Sequence, residues 1–169
     1  MENVFEQQAA RYEQWFEKHA ATYQSEVEAV REILPSEGRG LEIGVGSGRF
    51  AQPLGIGEGV EPAAAMRRLA RERGIGAREG VGEALPYGDH QFDHVLMVTT
   101  ICFVENPLLC CKEAWRVLKP NGALLVGLID RGSFLGREYE LQKEHNIFYR
   151  NARFFSVDEV IDIMRSAGF

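Results

Sequence analysis

Residues 41–50, Leu-Glu-Ile-Gly-Val-Gly-Ser-Gly-Arg-Phe, run a short apolar strand straight into a turn built on three glycines. Gly44, Gly46 and Gly48 accept positive φ and let a ligand approach the backbone with no Cβ in the way. A helix expected over 48–54 would aim its first amides at a nucleotide-type ligand. Such a strand–turn–helix belongs in an open α/β sheet, and the rest of the chain agrees. Strands fall near 40–44, 57–61, 76–80, 92–98 and 122–130, with helices near 63–74 and 106–118. This alternation predicts a Rossmann-like, doubly wound, mostly parallel sheet with helices on both faces. Val95-Leu96-Met97-Val98 is continuously apolar, as a strand covered on both faces requires.

The glycine spacing narrows the ligand. A dinucleotide fingerprint reads Gly-x-Gly-x-x-Gly; here Gly48 comes one place early and Arg49 stands where that motif has glycine. Glu42 precedes the first glycine by two, and a carboxylate at the base of the loop suits a cation better than a pyrophosphate. The order Glu-x-Gly-x-Gly-x-Gly resembles the first motif of the class I S-adenosylmethionine-dependent methyltransferases, in their type 11, small-molecule branch. Gly57-Glu58-Gly59-Val60-Glu61-Pro62 is a short strand ending in a carboxylate. Glu61 lies 17 residues beyond Gly44, near the spacing of about 20 for an acidic residue that grips ribose hydroxyls. Gly82-Glu83-Ala84-Leu85-Pro86 and Phe92-Asp93-His94-Val95-Leu96-Met97 resemble the family's adenine-flanking loop and fourth strand. Arg116-Val117-Leu118-Lys119-Pro120-Asn121-Gly122, followed by Ala123-Leu124-Leu125-Val126, resembles its helix end, turn and fifth strand. The resemblance runs from about Leu41 to Val126 and extends more faintly to Phe169.

The resemblance implies an enzyme that transfers a methyl group from S-adenosylmethionine to a small-molecule acceptor by in-line displacement, leaving S-adenosylhomocysteine. It places Tyr12, Glu42, Gly44, Gly46, Gly48, Glu61, Gly82, Glu83 and Thr99 at the donor. A general base is needed only if the nucleophile arrives protonated, and His19, His145 and Tyr149 are open candidates. A non-catalytic donor-binding or regulatory protein is the alternative, and an NAD(P)-dependent oxidoreductase a more distant one, disfavoured by Arg49 and Glu42.

Composition and motif absences set the other expectations. A formal net charge of −6 argues against nucleic acid as a partner. The fourth strand is not followed by an Asn-Pro-Pro-Tyr motif, and Ile101 rather than proline precedes Cys102, which removes two signatures of nucleic-acid methylation. With no apolar run of membrane-spanning length and no basic start at Met1-Glu2-Asn3, the expectation is a cytoplasmic protein without a membrane partner. Cys102, Cys110 and Cys111 fit neither a disulfide framework nor a zinc pattern, and no metal site is expected.

At 169 residues the chain reads as one domain with four parts. Residues 1–35 form a helical lid, helical over 4–34, in which Tyr12, Trp15, Phe16 and His19 share a face. Residues 36–130 are the donor-binding core. Residues 131–155 lose periodicity and read as a substrate cap, with Arg131, Tyr139, His145, Tyr149, Arg150 and Arg153 as recognition candidates. Residues 156–169 are a helix, with Ser156 and Glu159 as a capping box and Gly168 as C-cap. The family's sheet has two further strands after this helix, so the sequence reads as cut short. A fifth strand left as a raw edge invites pairing with a second copy of the chain.

Overall fold

The computed structural model describes residues 4–169; the Met1-Glu2-Asn3 start lies outside the described residues. Three helices open the chain, α1 (Val4–Gln7), α2 (Ala9–Lys18) and α3 (Ala20–Ile33). The core follows as β1 (Gly40–Ile43), β2 (Glu58–Val60), α4 (Ala64–Glu72), β3 (Gly76–Arg78), β4 (Phe92–Val98), α5 (Pro107–Val117) and β5 (Leu118–Gly127). Then come α6 (Phe134–Gln142), a 3-10 turn at Lys143–His145, and α7 (Val157–Ala167). The strands form one sheet in the order β3-β2-β1-β4-β5, and every pairing is parallel. Among the described residues no helix is long and apolar enough to cross a membrane.

Alternating side chains split the core into two layers. Val95 and Met97 face Cys110, Cys111, Ala114 and Val117 of α5, with Ala167 of α7 in the same layer. Leu96 faces the other way, among Val27, Phe50, Ile56, Ala70 and Ile75. Helices therefore cover both faces, and the carboxyl ends of β1, β2 and β4 open together on one edge, where such sheets bind ligands. The capping box on α7 is present, with Ser156 accepting from the Glu159 amide and Glu159 from the Ser156 amide.

Two expectations are corrected. The single helix over 4–34 is broken at Gln8 and His19, where ψ rises to 23° and 39°. His19 Nδ1 lies 2.9 Å from the same Trp15 carbonyl that its own amide uses, a local side-chain bond that competes with helix. The bends wrap the aromatic stripe around the glycine loop, which periodicity alone does not reveal. The helix expected over 48–54 is a series of turns. Pro53 has no amide to give the Arg49 carbonyl, and the Tyr23 hydroxyl donates there instead.

Candidate active site

The glycine loop is left-handed at every second residue, with φ of 69° at Gly44, 53° at Gly46 and 85° at Gly48. Its start is fastened to β2, since the amides of Gly44 and Val45 both donate to the Val60 carbonyl, at 2.8 and 3.1 Å. A Cβ on Gly44 would fall 2.4 Å from Thr100 Cγ2, so only glycine lets the loop approach the end of β4. Gly48 serves a different contact, because a Cβ there would press on Ile75 and the Ala70 backbone under α4.

Glu61, at the end of β2, bridges this loop to the next turn. Its Oε2 accepts from the Gly46 amide at 3.1 Å and its Oε1 from the Ala63 amide at 2.9 Å. It is 7% exposed, and burial pushes its carboxyl pKa up against the pull of those two amides. Glu42 lies beneath the loop at 2% exposure. Burial raises its pKa well above the usual range, the Ala51 amide opposes the rise, and the charge of Glu61 adds to it. Its Oε2 has no hydrogen-bond partner.

Above the loop opens a cavity of about 810 Å³. Gly44, Gly46, Glu61, Gly82, Glu83 and Thr99 line its sheet end, and Tyr12 covers them from the lid. Thr99 holds a left-handed φ of 52°, an uncommon conformation for threonine and one that concentrates at functional sites. Gly82 leaves no room for a side chain, since a Cβ would meet Cys110 Sγ at 2.5 Å. Glu83 accepts from the Asn106 amide at 3.0 Å, tying its loop to the start of α5.

The lid is held in three ways. Glu6 of α1 accepts from the Ala65 amide at 3.0 Å, supplying the first turn of α4 with the anionic partner that Ala63 lacks. Glu13 of α2 accepts from Arg49 Nη2 at 2.6 Å and also from Arg73. Burial pushes the Glu13 carboxyl pKa up, but the hydrogen bonds from Arg49 and Arg73 help to outweigh it, so the net shift is downward. Aromatic rings then join lid to cap: Phe5 meets Phe103 edge-on at 5.2 Å and stacks on Phe148 at 5.6 Å. Tyr139 meets Tyr149 edge-on at 5.0 Å.

Of the base candidates, only Tyr149 lines the cavity. Burial raises the pKa of its phenol well above the ordinary value, and the nearby acidic groups add to this, so Tyr149 stays protonated. His19 and His145 lie in an outer groove between α2 and α6. Arg131, Arg150 and Arg153 do not line the cavity; Arg131 pairs with Glu159 at 2.8 Å and Arg153 stacks over Phe155 at 4.6 Å. The sequence reading missed Glu26, Phe5, Phe103, Phe148, Asn146 and Asn151, all of which line the cavity. Glu26 carried a signal, since it falls three residues after Tyr23 on the face of α3.

The methyltransferase domain family model matches residues 41–126, half of the chain, from the start of the glycine-loop strand to the body of β5. The chain belongs to the class I S-adenosylmethionine-dependent methyltransferases. This methyltransferase is similar to a solved S-adenosylmethionine-dependent methyltransferase of Thermotoga maritima, described as a possible histamine N-methyltransferase. The two share 56% identity and a TM-score of 0.97, over all of this chain and 81% of that one. An uncharacterized protein of Methanocaldococcus jannaschii is 46% identical over 167 residues, 99% of this chain and 81% of its own length. An uncharacterized protein of Mycobacterium tuberculosis is 36% identical over 166 residues, and the match spans 58% of its length.

Proposed function

We propose that this methyltransferase modifies a small molecule held in the cavity of about 810 Å³. The observation that carries the reading is that one continuous cavity joins the glycine-loop end to an aromatic end beneath the N-terminal helices. Its volume sits in the range of about 300–1,000 Å³ typical of small-molecule sites. The net charge of −6 favours small acceptors over nucleic acid. A cytoplasmic setting agrees with Cys102, Cys110 and Cys111 all being free, and burial pushes the Cys102 thiol up to about 12, leaving it unreactive.

The residues present fit the donor. Gly44 and Gly46 offer bare backbone to the cavity and Glu61 a carboxylate, while Gly82, Glu83 and Thr99 flank the same end. Among the described residues the lining holds four glutamates and no Lys, Arg or His, a field that suits a cationic donor. When bound, S-adenosylmethionine supplies an already activated methyl group on its sulfonium. The chain's task is orientation, which can be worth about 7–11 kcal/mol, and exclusion of water by the lid.

The reading is tested by incubating the protein with methyl-tritiated donor and two acceptor pools: a small-molecule extract, and purified RNA with protein. Label entering only the small-molecule pool is expected. Label entering only macromolecules would overturn the reading.

A further inference from the structure

Beyond the donor end, the cavity has a second chemical character. Tyr139 and Tyr149 meet there, Phe103 stacks on Tyr149 at 5.7 Å, and Phe148 stacks on Phe5. Glu26 of α3 opens into the same space. Its carboxylate, like that of Glu105 elsewhere on the lining, makes no hydrogen bond or ion pair among the described residues. By contrast, Glu61 is engaged by the amides of Gly46 and Ala63, and Glu83 by that of Asn106.

A carboxylate that shares a cavity with aromatic rings, with no basic side chain on the lining to neutralise it, is an arrangement that receives an ammonium group. The rings attract the positive charge through their quadrupoles, by about 0.5–2 kcal/mol each, and the carboxylate gives a charge-assisted hydrogen bond. An acceptor carrying a carboxylate or phosphate would find four glutamates lining the cavity and no basic side chain to pair with. We infer that the acceptor is a small molecule carrying a cationic amine, and that Glu26 is the residue that selects it.

Two observations support this. Glu26 stands open to solvent at the cavity mouth, while the protein around it raises its carboxyl pKa through desolvation. Its charge also helps to raise the pKa of Tyr139 and Tyr149, after the larger effect of their own burial. Both phenols therefore stay protonated near this carboxylate, and the local field favours an incoming cation. The inference rests on the cavity being the methyl-transfer chamber, as proposed above, and adds the charge of the acceptor and the residue that reads it.

The test uses the protein saturated with S-adenosylhomocysteine. Calorimetric titrations compare ethylamine, phenethylamine, tyramine and histamine with 2-phenylethanol and 3-phenylpropanoate. Transfer from tritiated donor is then measured with every compound that binds. At least one amine is expected to bind as the ammonium and be methylated, while the carboxylate compound stays inert. The ammonium proton passes to solvent beside exposed Glu26, the freed nitrogen lone pair attacks the methyl carbon, and the carbon–sulfur bond breaks to release S-adenosylhomocysteine. Glu26→Gln is expected to raise the amine KM at least tenfold, to change kcat little, and to leave S-adenosylhomocysteine affinity within twofold. Glu26→Asp should restore part of the loss, and Glu26→Lys should abolish amine binding while the protein still binds S-adenosylhomocysteine. The inference is overturned if no amine binds, if the alcohol or carboxylate is preferred, or if Glu26→Gln leaves the amine KM unchanged. Wild-type protein that fails to bind S-adenosylhomocysteine would instead bring down the chamber reading itself, a result separate from the amine comparison.

Discussion

Glu61→Gln separates the binding role of this carboxylate from its structural one. In the fold its two oxygens take the Gly46 and Ala63 amides, at 3.1 and 2.9 Å. Glutamine keeps one oxygen for one amide and turns an NH2 toward the other. Hydrogen bonds from a bound ligand to a charged group are worth about 1.5–3 kcal/mol. At 1.4 kcal/mol per tenfold, the donor Kd should therefore rise by about 10- to 150-fold. Stability should move far less. Burial raises the Glu61 pKa more than the two amides lower it, so the fold holds the ionised form at a cost that the neutral amide relieves. The lost amide bond offsets that relief by about 1 kcal/mol. The expected Tm change is thus within about 4 °C. The sign with pH follows. Because the folded pKa is raised, Glu61's contribution to stability is greatest below its unfolded pKa and is lost as pH rises through the folded value. Donor affinity should run the other way, falling as pH drops through that value in the wild type and staying flat in Glu61→Gln. Calorimetry with S-adenosylhomocysteine at several pH values measures both. A folded Glu61→Gln protein with wild-type affinity would refute the assignment.

Other perturbations test the frame around the site. Gly82→Ala should destabilise by about 1–3 kcal/mol through overpacking, because the new Cβ meets Cys110 Sγ at 2.5 Å; adding Cys110→Ala should recover much of this in a thermal double-mutant cycle. Glu13→Gln should lower stability by about 1.5–3 kcal/mol and speed release of S-adenosylhomocysteine in stopped flow, since it unfastens the lid from Arg49 and Arg73. The wild type should lose the same contribution as pH falls through the depressed Glu13 pKa, because a lowered carboxyl pKa stabilises only above it. Ser156→Ala removes half of the capping box on α7 and should cost about 0.5–2 kcal/mol, with donor affinity unchanged.

What was legible in the sequence was what the backbone dictates locally. The three glycines had to turn left-handed where strand met loop, and they do. Ser156 and Glu159 marked a helix start because the capping box is a contact between near neighbours. The strand alternation carried the sheet, since a buried parallel strand such as Val95–Val98 shows a continuous apolar run. Contacts between distant parts of the chain were hidden. Pro53 broke an expected helix, and its effect is read from the Tyr23 hydroxyl that fills the vacant Arg49 carbonyl, 26 residues away in the chain. The arginines of the cap resembled recognition groups, yet Arg131 spends its charge on Glu159. Glu26 was passed over because only the tertiary fold puts it on the same cavity lining as Tyr139 and Tyr149. Gly82 was placed at the donor from its loop, but the reason it must be glycine, Cys110 packed behind it, was not legible.

The most direct measurement is thermal unfolding of the protein with S-adenosylhomocysteine and, in parallel, with NAD. At about 100 times its dissociation constant a site ligand adds roughly 2.7 kcal/mol, which for a chain of this length is a shift of about 5–11 °C. The account predicts that shift with S-adenosylhomocysteine and none with NAD. A folded protein whose Tm moves with NAD alone, or with neither compound, would contradict it.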